Sequence, residues 1–128
     1  MWICPGARSA PLATAAVRST NLQTSTCIDE RAASYQAVNA ARASGAPAVV
    51  ICTSGTAAAN LLPAAVEAAL SGIPLVLLTA DRPPELRDTG ANQTIDQPDL
   101  FGRVVAWRFD LPVPDDRINV STVLTTVD

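Results

Sequence analysis

The chain has 128 residues, about half of them apolar, and a formal net charge of −3, which is the size of one compact domain able to bury a hydrophobic core rather than of two. Aromatic residues are few and all nine basic residues are scattered arginines, so neither a base-stacking platform nor a phosphate-tracking stripe is available and nucleic acid is disfavoured as a partner. The chain has no histidine, and its three cysteines, Cys4, Cys27 and Cys52, lie far apart. A zinc site or a Cys-His nucleophile therefore has almost nothing to be built from. No stretch resembles a signal peptide or approaches the roughly 20 apolar residues of a membrane-spanning helix. A soluble protein of a reducing compartment is expected, cytoplasmic or, in a photosynthetic eukaryote, plastidic.

Four short apolar runs, Trp2 to Cys4, Thr26 to Ile28, Ala48 to Cys52 and Leu75 to Leu78, end in turn-forming or polar residues, as buried parallel strands do. Each cysteine falls in one of these runs and reads as a small buried hydrophobe. Between the runs lie segments of helical spacing: Leu12 to Val17, Ala32 to Ala43 and Ala57 to Leu70. The last is opened by Ser54-Gly55-Thr56, good helix-starting residues. Gly45-Ala46-Pro47 and Gly72-Ile73-Pro74 each stop a helix and lead into a strand, a repeated βαβ punctuation. The expectation is a single α/β domain over residues 1–128, a three-layer α/β/α arrangement with a parallel sheet. Further on, a short helical segment is expected from Pro98 to about Arg103, a fifth strand from Val104 to Phe109, and a helix within Asp115 to Asp128 capped by Asp115 or Asp116. Both ends read as cut, because the chain enters a strand almost at Met1 and stops before a strand follows the last helix.

In an open parallel sheet the loops at the carboxyl ends of the strands share one rim, where ligands bind. Pro5-Gly6-Ala7-Arg8-Ser9, Asp29-Glu30-Arg31, Thr53-Ser54-Gly55-Thr56 and Thr79-Ala80-Asp81-Arg82-Pro83-Pro84-Glu85 leave the four strands in turn. Taken singly, each is an ordinary strand-to-helix turn. Glu30, at a strand end behind the apolar Ile28, is a partly desolvated carboxylate suited to acid–base work. It equally suits the first turn of a helix capped by Asp29, and spacing does not choose between the two. Ser54-Gly55-Thr56 presents backbone N–H groups at a helix start, which first suggests phosphate or carboxylate, although it lacks a P-loop lysine and a dinucleotide glycine triplet. Arg8 and Arg82 can each fork onto a carboxylate or remain solvated surface residues. Asn92 and Gln93, after Gly90-Ala91, can orient a substrate oxygen or stabilise a turn.

Together, ICPGARSAPL, DERAAS, TSGTAAANLLPAAVEA, LVLLTADRPPELRDTGANQTIDQ and PDLF resemble, in order and spacing, the N-terminal pyrimidine-binding domain of the MenD family of thiamine-diphosphate synthases. The TADRPPEL stretch followed by GANQ is the most specific part, since the TSGT loop with Asn60 also resembles acetolactate synthases. The resemblance implies a synthase dependent on thiamine diphosphate and Mg2+ (or Mn2+) that decarboxylates 2-oxoglutarate and adds the succinyl-semialdehyde unit to isochorismate in menaquinone or phylloquinone biosynthesis. It implies that Glu30 hydrogen-bonds the aminopyrimidine ring as the catalytic carboxylate and that Ser54, Gly55, Thr56 and Asn60 line that ring, in place of the phosphate reading. It also implies that Arg8, Arg82, Asn92 and Gln93 grip isochorismate. Ala7 stands where the family usually has serine, and Asn39 where it usually has glycine. The family's central domain and its diphosphate domain with a GDG motif have no counterpart in these residues. The resemblance therefore implies half a site, completed in a homodimer or tetramer. The competing expectations are a non-catalytic partner-binding relic and the pyrimidine domain of another thiamine-diphosphate enzyme.

Overall fold

A computed structural model describes residues 1–113 and 116–127. Its centre is a four-stranded, wholly parallel sheet made of β1 (Trp2–Ile3), β2 (Ser25–Thr26), β3 (Ala48–Cys52) and β4 (Leu75–Thr79), in the order β2-β1-β3-β4. β1 pairs with both β2 and β3, and β3 pairs with β4 along its whole length, from Ala48 opposite Leu75 to Cys52 opposite Thr79. The chain runs outward from β1 to β2 and then crosses back to β3, so the winding reverses at the β1/β3 junction and opens a crevice beyond the strand ends.

Helix α1 (Ala10–Arg18) covers one face, where Ala13 and Ala16 pack on Ile3 and Ile51. Helices α2 (Glu30–Ser44), α3 (Thr56–Ala59) and α4 (Leu62–Leu70) cover the other. There Ala33, Ala37, Ala41, Ala57, Ala58 and Leu61 enclose Cys4, Val50 and Cys52. Period-two alternation along β1 and β3 therefore sends Cys4, Val50 and Cys52 to one side and Ile3 and Ile51 to the other. The expected three-layer α/β/α architecture is present but lopsided. Beyond the reach of α1, Val76 and Leu78 of β4 remain 43% and 36% exposed.

Local chemistry explains the boundaries. Gly45 ends α2 with φ +71 and Gly72 follows α4 with φ +64, the left-handed geometry that closes a helix C-terminus. The helix expected over Ala57 to Leu70 is broken into α3 and α4. Pro63 has no N–H to donate and its ring crowds the preceding turn, so the chain re-forms a turn through Leu61 N–H to Ala58 O before α4 begins. An Arg42–Glu67 ion pair of 2.9 Å joins α2 to α4. The departure at Asn39 is accommodated, since its side chain is exposed on α2.

Four expectations are corrected. β2 is an exposed strand at the sheet edge, and Ile28, expected in it, lies beyond its end at 88% exposure. Pro98 to Arg103 forms consecutive tight turns, with N–H groups of Leu100, Gly102 and Val104 each bonding three residues back. Val104 to Phe109 is not a strand: its Trp107 and Phe109 are exposed and stacked at 6.2 Å. Arg108 is drawn back by bonds to Gly102 O and Asp99, so this run lies off the free edge of β4 instead of extending the ladder. The last helix, α5 (Val120–Val127), begins after Asp116 and is capped by Asn119, whose side-chain oxygen accepts Ser121 N–H at 3.0 Å; Asp115 lies outside the described residues.

Candidate functional site

The four polar loops leave the carboxyl ends of the strands as the sheet order requires. Gly6, after β1, lies so near Thr53, after β3, that a Cβ on residue 6 would sit 2.4 Å from Thr53 Cβ. Only glycine admits that approach at the crevice.

On the β2 side, Asp29 caps α2, accepting Ala32 N–H at 2.7 Å, and Glu30 occupies the first turn, half-buried. The helix-start reading of this pair is therefore correct as to position. Ile28 contributes no cover to Glu30, being almost fully exposed. Glu30 nonetheless acts electrostatically on the buried thiols at the ends of β1 and β3. The Cys4 thiol is pushed up from 9.0 to about 12 by burial first and by the Glu30 carboxylate second. The Cys52 thiol is likewise pushed to about 12, by burial, then Cys4, then Glu30. The buried thiols beneath the rim are thus neutral at ordinary pH, with the Glu30 and Asp29 carboxylates near Cys4.

On the β3/β4 side the loops interlock. Ser54, wholly buried, donates its hydroxyl to Gln93 O at 3.0 Å, and Gln93 Nε2 donates to Ser54 O at 3.1 Å. Gln97, 5% exposed, accepts Gly55 N–H on Oε1 at 3.0 Å and donates Nε2 to Ala80 O at 2.9 Å. The backbone amide that suggested anion binding is therefore occupied, and α3 behind it is a single turn, so the phosphate reading of Ser54-Gly55-Thr56 is unsupported by geometry. Thr56 and Asn60 are exposed at the two ends of α3, and Asn60 N–H bonds Thr56 O.

Beyond β4, Asp81 accepts its neighbour's Arg82 N–H at 2.7 Å and pairs with Arg87 at 3.2 Å, and Arg87 also reaches Asp110 at 2.9 Å. Arg82 forms no ion pair among the described residues, and its Nε is buried without a partner. Arg8 and Asn92 are exposed. Ser54, Gly55 and Gln93 are thus brought together, Glu30 lies on the β2 side near the Cys4 thiol, and Arg8, Arg82 and Asn92 stand outside the hydrogen-bonded cluster. Sequence reasoning missed Gln97 and Arg87.

A concavity of about 1090 Å³ follows the free edge of β4 between α4 and the 103–110 segment and reaches Asp81 and Gln97. Its walls are mainly apolar side chains such as Leu75, Leu77, Phe101 and Trp107, with Arg103, Arg108 and Asp110 among the polar ones.

A family model described as thiamine pyrophosphate enzyme, N-terminal TPP binding domain, matches residues 1–100. The chain is 62% identical over 113 residues to a 2-succinyl-5-enolpyruvyl-6-hydroxy-3-cyclohexene-1-carboxylate synthase of Chloroflexus aurantiacus, covering 88% of this chain and 19% of that protein. It is 53% identical over 127 residues to the synthase of the same name from Salinibacter ruber, covering 99% of this chain and 22% of that one. It is 52% identical over 126 residues to the one from Rubrobacter xylanophilus, covering 98% and 22%. The chain spans about a fifth of the length of these curated relatives.

Proposed function

Because this chain belongs to the thiamine pyrophosphate enzyme family, through its N-terminal TPP binding domain, we propose that it forms the pyrimidine half-site of a synthase that decarboxylates 2-oxoglutarate and adds the succinyl-semialdehyde unit to isochorismate. The observation that carries this reading is the position of Glu30: a half-buried carboxylate at the start of α2, close enough to the buried thiol that follows β1 to raise its pKa, and one strand away from the β1/β3 junction where the winding of the sheet reverses. That donor set fits the ring end of thiamine diphosphate, since one carboxyl facing an apolar crevice can share a proton with a ring nitrogen. The cofactor, when bound, supplies the electron sink for decarboxylation.

In this reading Glu30 holds a proton at its carboxyl oxygen against the ring, and the walls are formed by the backbone of Ser54-Gly55-Thr56 and by Asn60. Arg82, in no ion pair among the described residues, joins Arg8 in gripping the carboxylates of isochorismate. Asn92 can present its amide. Gln93 has committed Nε2 to Ser54 O, so it offers its side-chain oxygen as an acceptor for a substrate hydroxyl. The diphosphate and its Mg2+ or Mn2+ are held outside these residues, in a site completed by a second subunit of a dimer or tetramer. The setting is the cytoplasm.

The test is turnover of the synthase that carries this domain, with isochorismate, 2-oxoglutarate, thiamine diphosphate and Mg2+. Glu30→Gln is expected to lose about 10²–10⁴-fold in turnover while keeping its circular dichroism and melting profile; turnover at the unmodified level overturns the assignment. Arg82→Ala is expected to raise the KM for isochorismate about tenfold or more, as loss of a charge-assisted hydrogen bond does, and to leave that for 2-oxoglutarate unchanged. Equal effects on both substrates would remove Arg82 from the isochorismate site.

A further inference from the structure

The loop after β4 does more than carry Asn92 and Gln93. Gly55 has φ +77 and ψ −134, a conformation open essentially to glycine alone, and Gln93 facing it has φ +60. A Cβ on Gly55 would sit 3.0 Å from both Gln93 Cγ and Gln93 O. Two uncommon backbone conformations this close together at the rim persist only where neighbouring groups hold them. Gln97 is one group placed to do so. It is buried, comes from a different turn of the same loop, and uses both ends of a single carboxamide, Oε1 on Gly55 N–H at 3.0 Å and Nε2 on Ala80 O at 2.9 Å. The first bond holds the loop after β3 and the second the first residue after β4. Pro98, next in the chain, restricts the backbone of Gln97 to the extended region.

We propose that Gln97 is a positioning residue: its carboxamide clasps the loops after β3 and β4 at a fixed separation and holds Gly55 in the conformation that lets its backbone line the crevice. The functional meaning of the clasp rests on the reading of the crevice as a pyrimidine site; its existence does not. Gln97 touches no ligand in this scheme and acts through Gly55. The Ser54–Gln93 exchange supports the same loop from the outer side, but both of its bonds involve backbone carbonyls of the two loops, so it cannot replace a partner for Gly55 N–H. Without Gln97 that N–H is left unsatisfied in a buried position, and the loop is expected to move to satisfy it.

The experiment is amide hydrogen exchange by NMR on this chain and on two variants of nearly unchanged side-chain volume. Gln97→Met removes both bonds, whereas Gln97→Glu retains an acceptor for Gly55 N–H and loses only the donor to Ala80 O. The Gly55 amide is expected to exchange at least tenfold faster in Gln97→Met, with the amides of Val50 and Ile51 unchanged, and to recover most of its protection in Gln97→Glu. Gly55 exchange within twofold of the unmodified chain in Gln97→Met, or equal loss of protection in both variants, overturns the clasp. Should Gln97→Met fail to fold, the unmodified chain decides the matter: a coupling across the hydrogen bond between Gly55 ¹⁵N and Gln97 ¹³Cδ supports the bond, and its absence in a well-resolved spectrum overturns it. Titration with thiamine diphosphate separates the two levels. Shifts at Glu30 and Gly55 that weaken tenfold in Gln97→Met support positioning for the cofactor. Shifts of equal affinity in both proteins overturn that role. Failure of the synthase that carries this domain to lose thiamine diphosphate affinity or turnover in Glu30→Gln counts against the pyrimidine reading, while Gly55 exchange still decides the clasp.

Discussion

The two sides of the rim are built differently. After β3 and β4, the loops are laced by side-chain amides and a hydroxyl, with Ser54, Gln93 and Gln97 each bonded to backbone of the facing loop. After β1 and β2, the loops meet their neighbours through close packing and electrostatics. Gly6 abuts Thr53, Asp29 spends its carboxylate on its own helix, and Arg8 and Glu30 make no side-chain hydrogen bond among the described residues. Hydrogen-bonded loops hold a shape in the absence of ligand. Loops whose charged groups are uncommitted keep those groups for something else. The contrast separates a framework from a set of available reactive groups, and it agrees with the roles proposed for Glu30 and Arg8.

Substitutions can break or sharpen that contrast. The largest effect is expected where the packed side has least room. Gly6→Ala places a methyl group against Thr53 at the end of the central strand, and the destabilisation should reach about 3 kcal/mol, the upper part of the range for overpacking, measured by urea unfolding. A cost below about 1 kcal/mol would show that the β1 loop is free to shift and that the two sides differ less than the contacts suggest.

The thiols beneath the two sides give a second handle, through pH. Both are raised in the folded chain, from 9.0 to about 12, whereas in the unfolded chain they titrate near 9.0. The unfolded state therefore binds fewer protons above that value, and the stability contributed by the neutral buried thiols is complete below pH 9 and lost as pH rises toward 12. Comparing Cys4→Ala with Cys52→Ala in alkaline unfolding is expected to reduce the pH slope in each case. A slope unchanged in both variants would remove the thiols as its cause. Asp29→Ala should cost about 1 kcal/mol, the usual loss of a helix cap, and thermal unfolding should show it without altering the exchange of Gly55. Altered exchange there would mean that the β2 side is coupled to the laced side after all. The smallest effect, within about 0.5 kcal/mol, is expected from Val76→Thr on the uncovered part of the sheet.

Where the sequence could be read and where it could not follows the range of the interactions. The strands Ala48–Cys52 and Leu75–Thr79 declare themselves by β-branched and leucine-rich runs led into by glycine and proline, signals contained within a few residues. Asp29 as cap is equally local. Val104 to Phe109 has the same apolar composition, yet its fate depends on Arg108 being drawn to Asp99 and Gly102, contacts that periodicity does not report. Ile28 was misjudged because an edge strand has no neighbour to cover its end. At the site, Glu30 could be singled out but its cover could not be assessed. Gln97 was silent, because a lone glutamine acquires its meaning only from Gly55, 42 positions earlier in the chain. The resemblance identified which loops matter; it did not reveal that one amide joins two of them.

The face that α2, α3 and α4 turn to the sheet is paved mostly with alanine: Ala33, Ala37, Ala41, Ala57, Ala58, Ala64 and Ala68 are all buried. An alanine has no rotamers to lose, so ordering this layer costs the chain little beyond its backbone entropy. It also has no rotamers with which to adjust. A larger side chain at any of these positions has no alternative pose to retreat into, and must move a helix axis to be accommodated. Since α2 begins at Glu30 and α3 at Thr56, any such movement would be delivered to the rim, making mutational drift in this layer a way of retuning the crevice from behind.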